Sequence, residues 1–543
     1  MLNKSTPTMT GSTMENIFSG RTGSVIVVVA AIVARAFIQI HFALPDGDKA
    51  FQIQAARNFL DGNGLSIYQA YINDLSQQHY TPLVKWPPGY SFFLMPLLLI
   101  CKSNFFLATL LLDVSTAILF IYYSRRLLQN LNISRVWLNL YTIVSGFFIF
   151  EFCTASSSDF LTLTIFIAAF TSLFPIIKAQ ELKLPGLFVL SFLLFLTGFT
   201  RFMFIPIAFV VPAYLILIGY FEKDKLLTKK GFIVFVLLAI LMSAFLIIQK
   251  SYSGASTYIT ATERGFYPEY LLRLFPFSFS AIFNTNLVGV QLERITGLHF
   301  SEVYDLLIGA HFLFLFVLLF WLSKWISKKK IMKWNLCDHY IAIGALTTIS
   351  IVLLLAVLSL TNKLTTVDWS FVQEGRYFAF ATFFLQQLLF IVLFYFKNSL
   401  RNGRKLFVYG CFAILILSTI HGVYFVLKSA GTNFYSPDTK ERIELMNYTD
   451  SLIKKTLEEN PGKNFVIASQ NPFLNNEASL KYNIPGVYDL PVQNNISFHA
   501  GKETIFILVQ STPVDHVSSY KWNLVGEFKN NYYYTTDVRP DSQ

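Results

Sequence analysis

The sequence predicts an all-α polytopic membrane protein that carries a small soluble α/β domain at its C-terminal end. Three observations predict it. Of the 543 residues, 54% are hydrophobic and 17% aromatic, and only 14% are charged, against roughly 25% in an ordinary soluble domain. Apolar runs near the roughly 20 residues that a spanning helix needs recur as far as residue 427. From about residue 432 the pattern changes to an amphipathic helix followed by short strands.

About eleven spans follow from the apolar runs: 23–44, 104–122, 136–152, 159–177, 185–200, 203–221, 231–249, 304–322, 339–361, 376–396 and 405–427. The start, "MLNKSTPTMTGSTMENIFSGRTG", is too long and polar for an ordinary signal n-region. The run behind it is long enough to span, so it reads as an uncleaved signal anchor. "GYSFFLMPLLLI" at 89–100 reads as a partial or tilted helix, and "TRFMF" briefly interrupts the stretch 185–221.

The connections alternate in character. One set is short and basic, with Arg125, Arg126 and Arg135, then Lys178 and Lys183, then Lys223, Lys225, Lys229 and Lys230, then Lys324 to Lys333, and last Lys397, Arg401, Arg404 and Lys405. The other set is longer, mixed in charge and rich in Pro, Gly and aromatics. Basic connections stay in the cytoplasm, which puts the N-terminus inside and the tail outside. The organisation expected is a cytoplasmic tail over 1–22, a transmembrane catalytic domain over 23–431 and an extracytoplasmic α/β domain over 432–543.

The net charge of +11 is accounted for by these connections. No basic patch interleaved with aromatics is present, so a nucleic-acid partner is set aside. The four cysteines lie far apart with no CxxC pair, so neither a disulfide framework nor a zinc site is indicated.

The first outer loop, about 45–88, is long for a connection. Pro45-Asp46-Gly47 is a turn signal, and a helix begins at Asp48. Phe51, Ala55 and Phe59 form an apolar stripe extended by Ala56 and Leu60, with Gln54, Arg57, Asn58 and Asp61 opposite. Such a helix can lie flat at a bilayer surface. Asp48 reads either as an N-cap or as a general base beside the membrane. The loop closes with "KWPPGYSFFLMPLL", where Trp86 and Tyr90 suit the interface and Lys85 is either a snorkelling cation or a phosphate contact.

These stretches carry a resemblance. "PDGDKAFQIQAARNFLDGNGLSIY" followed by "WPPGYSFFLMPLLL" resembles the first outer loop of C-fold membrane glycosyltransferases of the protein O-mannosyltransferase and aminoarabinose transferase type, which use polyprenyl-phosphate sugars. "SSSDFLTLTIF", "LTGFTRFMFIPIAFVVPAYLIL" and "EGRYFAFATFFL" extend it over nearly all of the membrane part. The resemblance implies a catalytic carboxylate at the end of the first span, matched by Asp48 with Asp46 beside it. It implies a second acid in the next outer loop, matched by Asp159. Phosphate contacts are matched by Arg376 and by a basic residue near the return into the bilayer, Lys85. Where many relatives have Asp-Glu, this chain has Asp48-Lys49, so no second acid carries over from there.

The implied chemistry suits those residue types. A sugar on a lipid phosphate has an activated anomeric carbon and a weakly basic leaving group. It needs cations to hold the leaving charge rather than a general acid. The incoming hydroxyl needs a carboxylate base. One base without a covalent nucleophile predicts inversion.

The expected reaction is therefore sugar transfer from a polyprenyl-phosphate donor to a hydroxyl on a glycan, lipid or protein acceptor outside a bacterial inner membrane. Asp48 and Asp159 are the catalytic candidates, Asp159 for orienting the acceptor or holding a metal. Lys85, Arg201 and Arg376 are the donor-phosphate candidates. Asp46, Trp86, Tyr90, Glu374 and Arg264 are candidates for contacting acceptor or lipid. No cofactor is identified by the sequence, and a divalent cation, if one takes part, belongs at Asp48 and Asp159.

Other charges have plainer expectations. Arg35 and Asp113 lie at similar depth and are expected to pair. Glu151 faces headgroups. Glu374 and Arg376 make a simple ion pair if they do not bind phosphate. Arg264 and Arg273, in "TATERGFYPEYLLRLFPF", cover a lipid substrate or lie on an ordinary amphipathic helix. Asn447 and Asn495 match the glycosylation triplet. The competing function classes are a transporter or flippase of lipid-linked sugars, and an O-antigen polymerase or ligase. A transporter would place its charges near the midplane of repeated halves, and no internal repeat is visible. A polymerase or ligase would centre on a large late outer loop.

Overall fold

The computed structural model describes residues 20–43, 47–71, 74–84, 86–102, 104–150, 157–254, 262–270, 334–364, 375–396, 402–432, 434–469, 472–487, 502–511 and 521–538, with positions 297 and 500. The expected span 304–322, the run Lys324 to Lys333, Asp46, Lys85, Glu151, Arg273, Glu374 and Asn495 lie outside the described residues. The chain forms two compact units: Met1–Ile40, Asp113–Phe245 and Ile259–Thr432 in the first, and His41–Leu112, Leu246–Tyr258 and Asn433–Gln543 in the second.

The helices follow the apolar runs. They are α1 (Arg21–His41), α2 (Gly47–Leu60), α3 (Gly89–Ile100), α4 (Phe105–Asn130), α5 (Arg135–Phe147), α6 (Ser157–Lys178), α7 (Leu184–Thr200), α8 (Ile205–Phe221), α9 (Lys225–Ser253), α10 (Leu336–Thr361), α11 (Ala379–Ile391), α12 (Asn402–Thr432), α13 (Pro437–Glu459) and α14 (Pro472–Tyr482). Among the described residues eight helices are long and apolar enough to cross a membrane, and α3 and α7 are shorter apolar helices. The protein is a multi-pass membrane protein.

In the first unit α6 is central: 78% of its apolar window is buried, against 28% for α9. Lipid is as apolar as Leu, so helices in a bilayer associate through close packing and a few polar bonds. Aromatic edges supply much of the packing. Phe166 meets Phe380 at 4.8 Å and Phe170 meets Phe384 at 5.1 Å, which ties α6 to α11. Small residues supply the rest. A Cβ on Gly422 of α12 would stand 1.9 Å from the Phe147 carbonyl oxygen of α5, so only glycine permits that approach.

A charge also organises this unit. Arg35 of α1 is fully buried. Its Nε donates to the Ser145 carbonyl at 3.0 Å and its Nη2 to the Phe148 carbonyl at 2.6 Å, with the guanidinium 4.9 Å from the centre of the Phe150 ring. Ser145 lies in the last turn of α5 and Phe148 is its C-cap, where the helix leaves acceptors it cannot satisfy itself. Arg35 therefore caps α5 from a neighbouring span. Asp113, the partner expected for it, is buried at 4% exposure in the same unit.

The second unit is an α/β layer structure. Its strands are β1 (Ser66–Tyr71), β2 (Asp74–Pro82), β5 (Asn464–Ser469), β6 (Gly486–Val487), β7 (Thr504–Gln510), β8 (Asn523–Phe528) and β9 (Asn531–Val538), while β3 (Thr262–Arg264) and β4 (Asn362–Leu364) form a separate ribbon in the first unit. The seven strands form one sheet in the order β2-β1-β6-β5-β7-β9-β8. β5 pairs in parallel with β6 and β7, β1 joins β6 in parallel, and the outer pairs are antiparallel.

Both sheet faces are covered, as parallel strands require. Ile467, Ile505, Ile507 and Val509 pack with Ala50, Leu445, Ile453 and Phe473. Val466, Ala468 and Phe506 pack on the other side with Ala70, Leu75 and Val538. The tail helix α13 begins at an N-cap: Ser436 Oγ accepts from the Thr439 amide at 3.1 Å.

Here the structure corrects the sequence reading of the first outer loop. Helix α2 is a packed layer of the α/β unit and not a helix lying flat with a wet polar face. Gln52, Gln54 and Asn58, which include two residues placed on the polar side, are 1%, 0% and 8% exposed. Asn58 Nδ2 donates to the Ser66 carbonyl at 2.8 Å, and Gln54 Nε2 donates to Ser479 Oγ of α14. The hairpin β1–β2 after it belongs to the sheet built by the tail.

Candidate active site

In the first unit three sequence candidates meet. Asp159 sits in the first turn of α6, where the helix dipole favours a carboxylate, and it is fully buried. Arg201 occupies the break between α7 and α8. Its φ of −152° and ψ of 114° are extended, so the "TRFMF" interruption is a true end of one helix and start of the next. A 3₁₀ turn at Phe202–Phe204 follows. The extended residue turns the guanidinium onto Asp159. Nε donates to Oδ1 at 2.6 Å and Nη2 to Oδ2 at 2.8 Å, the parallel fork that an arginine–carboxylate pair favours.

Arg376 comes from the 3₁₀ turn Gly375–Phe378 that leads into α11. Its Nε stands 3.9 Å from Asp159 Oδ2, within electrostatic reach and longer than a hydrogen bond. Tyr377 stands by both arginines, with Arg201 Cζ 5.9 Å and Arg376 Cζ 5.2 Å from its ring centre. Behind the cluster Thr162 Oγ1 donates to Thr200 Oγ1 at 2.8 Å, fixing the start of α6 to the end of α7. Side-chain exposures of 10%, 0% and 11% for Arg201, Asp159 and Arg376 place all three largely out of water.

Two guanidiniums close to one carboxylate place cations in a poorly solvated position, where they are suited to an anion. Both Asp159 oxygens accept from Arg201, so the carboxylate is committed to holding that arginine in place. A metal at Asp159 would have to displace the fork. Among the described residues no group of three or more His, Cys, Asp or Glu side chains could hold a metal ion. Among the described residues the donor set at Asp159 therefore does not make up a cation site.

In the second unit Asp48 lies in the first turn of α2 and is half-buried, and its carbonyl accepts from Gln52 Nε2 at 3.0 Å. Trp86 is 4% exposed and stacks on Phe51 with ring centres 5.1 Å apart. Tyr90 of α3 is fully buried. Both rings are buried within this unit. Arg264 is exposed on the β3–β4 ribbon of the first unit, with strand neighbours rather than a surface helix.

Sequence reasoning missed Tyr377, although it directly follows Arg376 in "EGRYF". It also missed the threonine pair, because hydroxyls on apolar helices carry no distinguishing period.

The sequence matches no protein-family model and no curated protein. Solved structures do show similarity. ArnT from Cupriavidus metallidurans, bound to undecaprenyl phosphate, is similar at a TM-score of 0.43 and 10% identity, over 95% of this chain and 98% of that one. Its apo form gives a TM-score of 0.39 at 10% identity, over 95% and 98%. The oligosaccharyltransferase AglB from Archaeoglobus fulgidus, in complex with an inhibitory peptide and a dolichol-phosphate, gives 0.39 at 11% identity, over 84% of this chain and 64% of that one.

Proposed function

We propose that this protein transfers a sugar from a polyprenyl-phosphate donor to a hydroxyl on an acceptor outside a bacterial inner membrane. The observation that carries the reading is the Asp159–Arg201–Arg376 cluster, a largely buried set of two cations on one carboxylate. A lipid phosphate is the anion that a membrane-embedded cation pair meets most readily. The stretches around these residues are also the ones that resemble polyprenyl-phosphate glycosyltransferases.

In this reading the Asp48 carboxylate takes the proton of the acceptor hydroxyl as its oxygen attacks the anomeric carbon. The bond between that carbon and the phosphate oxygen breaks, and its electron pair leaves on the phosphate. The phosphodiester becomes a monoester with one more negative charge, and Arg201 and Arg376 stabilise that added charge. Asp159 holds Arg201 at the angle its fork dictates. A single displacement inverts the anomeric centre.

The test incubates the purified full chain with polyprenyl-phosphate sugars and envelope glycans and follows release of polyprenyl phosphate. Arg376→Gln is expected to lose about 10²–10³ in turnover, and Asp48→Asn about 10²–10⁴ with donor binding retained. A folded Asp48→Asn variant that transfers at the wild-type rate rejects the base assignment. A wild type that consumes no donor, yet moves one across vesicles, rejects the enzyme for a transporter.

A further inference from the structure

A second cationic site lies in the first unit, built from residues the proposed reaction does not use. A cleft of about 620 Å³ opens where three helix ends meet. Arg21 is the first residue of α1, Arg125 and Gln129 lie in the last two turns of α4, and Arg135 is the first residue of α5. Ser24 and Asn132 complete its polar wall, and among the described residues no Asp or Glu lines it. Three guanidiniums therefore line a shared space.

Arg125 is held in place by neutral partners. Its Nη1 donates to Thr142 Oγ1 at 2.7 Å and its Nη2 to Asn139 Oδ1 at 2.8 Å, and Asn139 Nδ2 donates to Ser24 Oγ at 3.1 Å. The chain locks the head of α1 to α4 and α5 without neutralising the arginine. Two helix N-termini add to the positive field, since α1 and α5 both begin here and Ser134 makes no side-chain cap on α5. Cations, amide donors and helix starts together specify an anion carrying several acceptor oxygens.

We infer that this cleft binds the phosphate of an anionic phospholipid headgroup. The favoured source is the membrane itself. One turn into the span, α1 exposes Val25, Ile26 and Val29 at 57%, 61% and 54%, an apolar flank along which acyl chains can lie while the headgroup reaches the arginines. The cleft takes in Arg125 and Arg135 of one basic connection, which is expected in the cytoplasm, and basic pockets between spans on that side suit anionic headgroups. The inference stands apart from the proposed reaction, whose candidates Asp159, Arg201 and Arg376 sit at other helix ends.

The test uses the full chain in detergent and native mass spectrometry, with phosphatidylglycerol and phosphatidylcholine as probes. Phosphatidylglycerol is expected to be retained at least about fivefold better than phosphatidylcholine. Arg21→Gln/Arg135→Gln, which alters two exposed side chains, is expected to remove that preference. Lys440→Gln/Lys455→Gln, which removes the same charge from the tail domain, is expected to leave it intact. Equal retention of the two lipids, or equal loss in both double variants, overturns the site. A parallel arm titrates inorganic phosphate and pyrophosphate into the lipid-free protein. If these bind with the same arginine dependence while phosphatidylglycerol does not, the lipid assignment falls to a soluble phosphate.

Discussion

Arg201 grips Asp159 through two parallel bonds, 2.6 Å from Nε to Oδ1 and 2.8 Å from Nη2 to Oδ2. The pair joins the start of α6 to the α7–α8 break. Removing one partner strands the other charge in a poorly solvated place, at a cost of about 3–5 kcal/mol. Arg201→Gln and Asp159→Asn should each lower stability by that order, and the double variant by clearly less than their sum. Denaturation in mixed micelles across the four-member cycle measures the coupling, and additive losses would count against the fork.

Arg35 makes a different prediction because it donates to backbone carbonyls. Arg35→Met keeps most of the side-chain volume but removes the donors to Ser145 and Phe148. Buried acceptors left without donors cost about 1–3 kcal/mol each. The variant should melt earlier than wild type, and hydrogen exchange should rise at the C-terminal turn of α5 before it rises elsewhere.

Two glycines on α12 should respond with opposite sign. A Cβ at Gly422 would meet the Phe147 carbonyl oxygen at 1.9 Å, whereas one at Gly410 meets nothing within 4 Å. Gly422→Ala should force the helices apart and cost about 1–3 kcal/mol. Gly410→Ala should gain about 0.5–1 kcal/mol from the better helix former. Thermal unfolding of the two variants compares them directly.

The second unit supplies a pH test. Asp450 Oδ1 accepts from the Lys481 ammonium at 3.0 Å and from the Tyr482 hydroxyl at 2.8 Å. Burial works against the Asp450 charge, but the Tyr482 and Lys481 bonds outweigh it and hold the carboxyl below its ordinary 3.8. A depressed carboxylate stabilises the fold above its unfolded value, and that contribution is lost as pH falls through the folded one. The melting difference between wild type and Asp450→Asn should therefore be full at neutral pH and shrink as pH drops below 3.8. A difference that stays constant into acid would show that Asp450 acts through packing alone.

The spans were legible because their signal is local. An apolar run of bilayer length reports itself, so α1, α6, α8, α9, α10 and α12 lie close to where the hydropathy places them. The hairpin β1–β2 was not. "SIYQAY" and "DLSQQHYTP" lack a clean apolar alternation, and β1, beside its hairpin mate β2, takes its second neighbour β6 from the far end of the chain. Helix α2 misled for the same reason: Gln54 and Asn58 look wet until Ser479 and the Ser66 carbonyl accept from them. At the site, residue types announced Asp159, Arg201 and Arg376 one at a time. That they meet follows from the extended conformation of Arg201, which no spacing rule encodes.

The strand pairing of Gln69 with Gly486 spans more than four hundred residues. A ribosome adding ~5–20 residues per second needs on the order of twenty seconds to more than a minute to deliver the second strand after the first. During that interval the early hairpin has an open flank and no mate, so the nascent chain is exposed to wrong partners and to proteases. Chains stopped by a premature codon between α12 and β6 would keep the spans before it but never close that flank, and quality control should clear them faster than full-length variants with point changes in the bilayer.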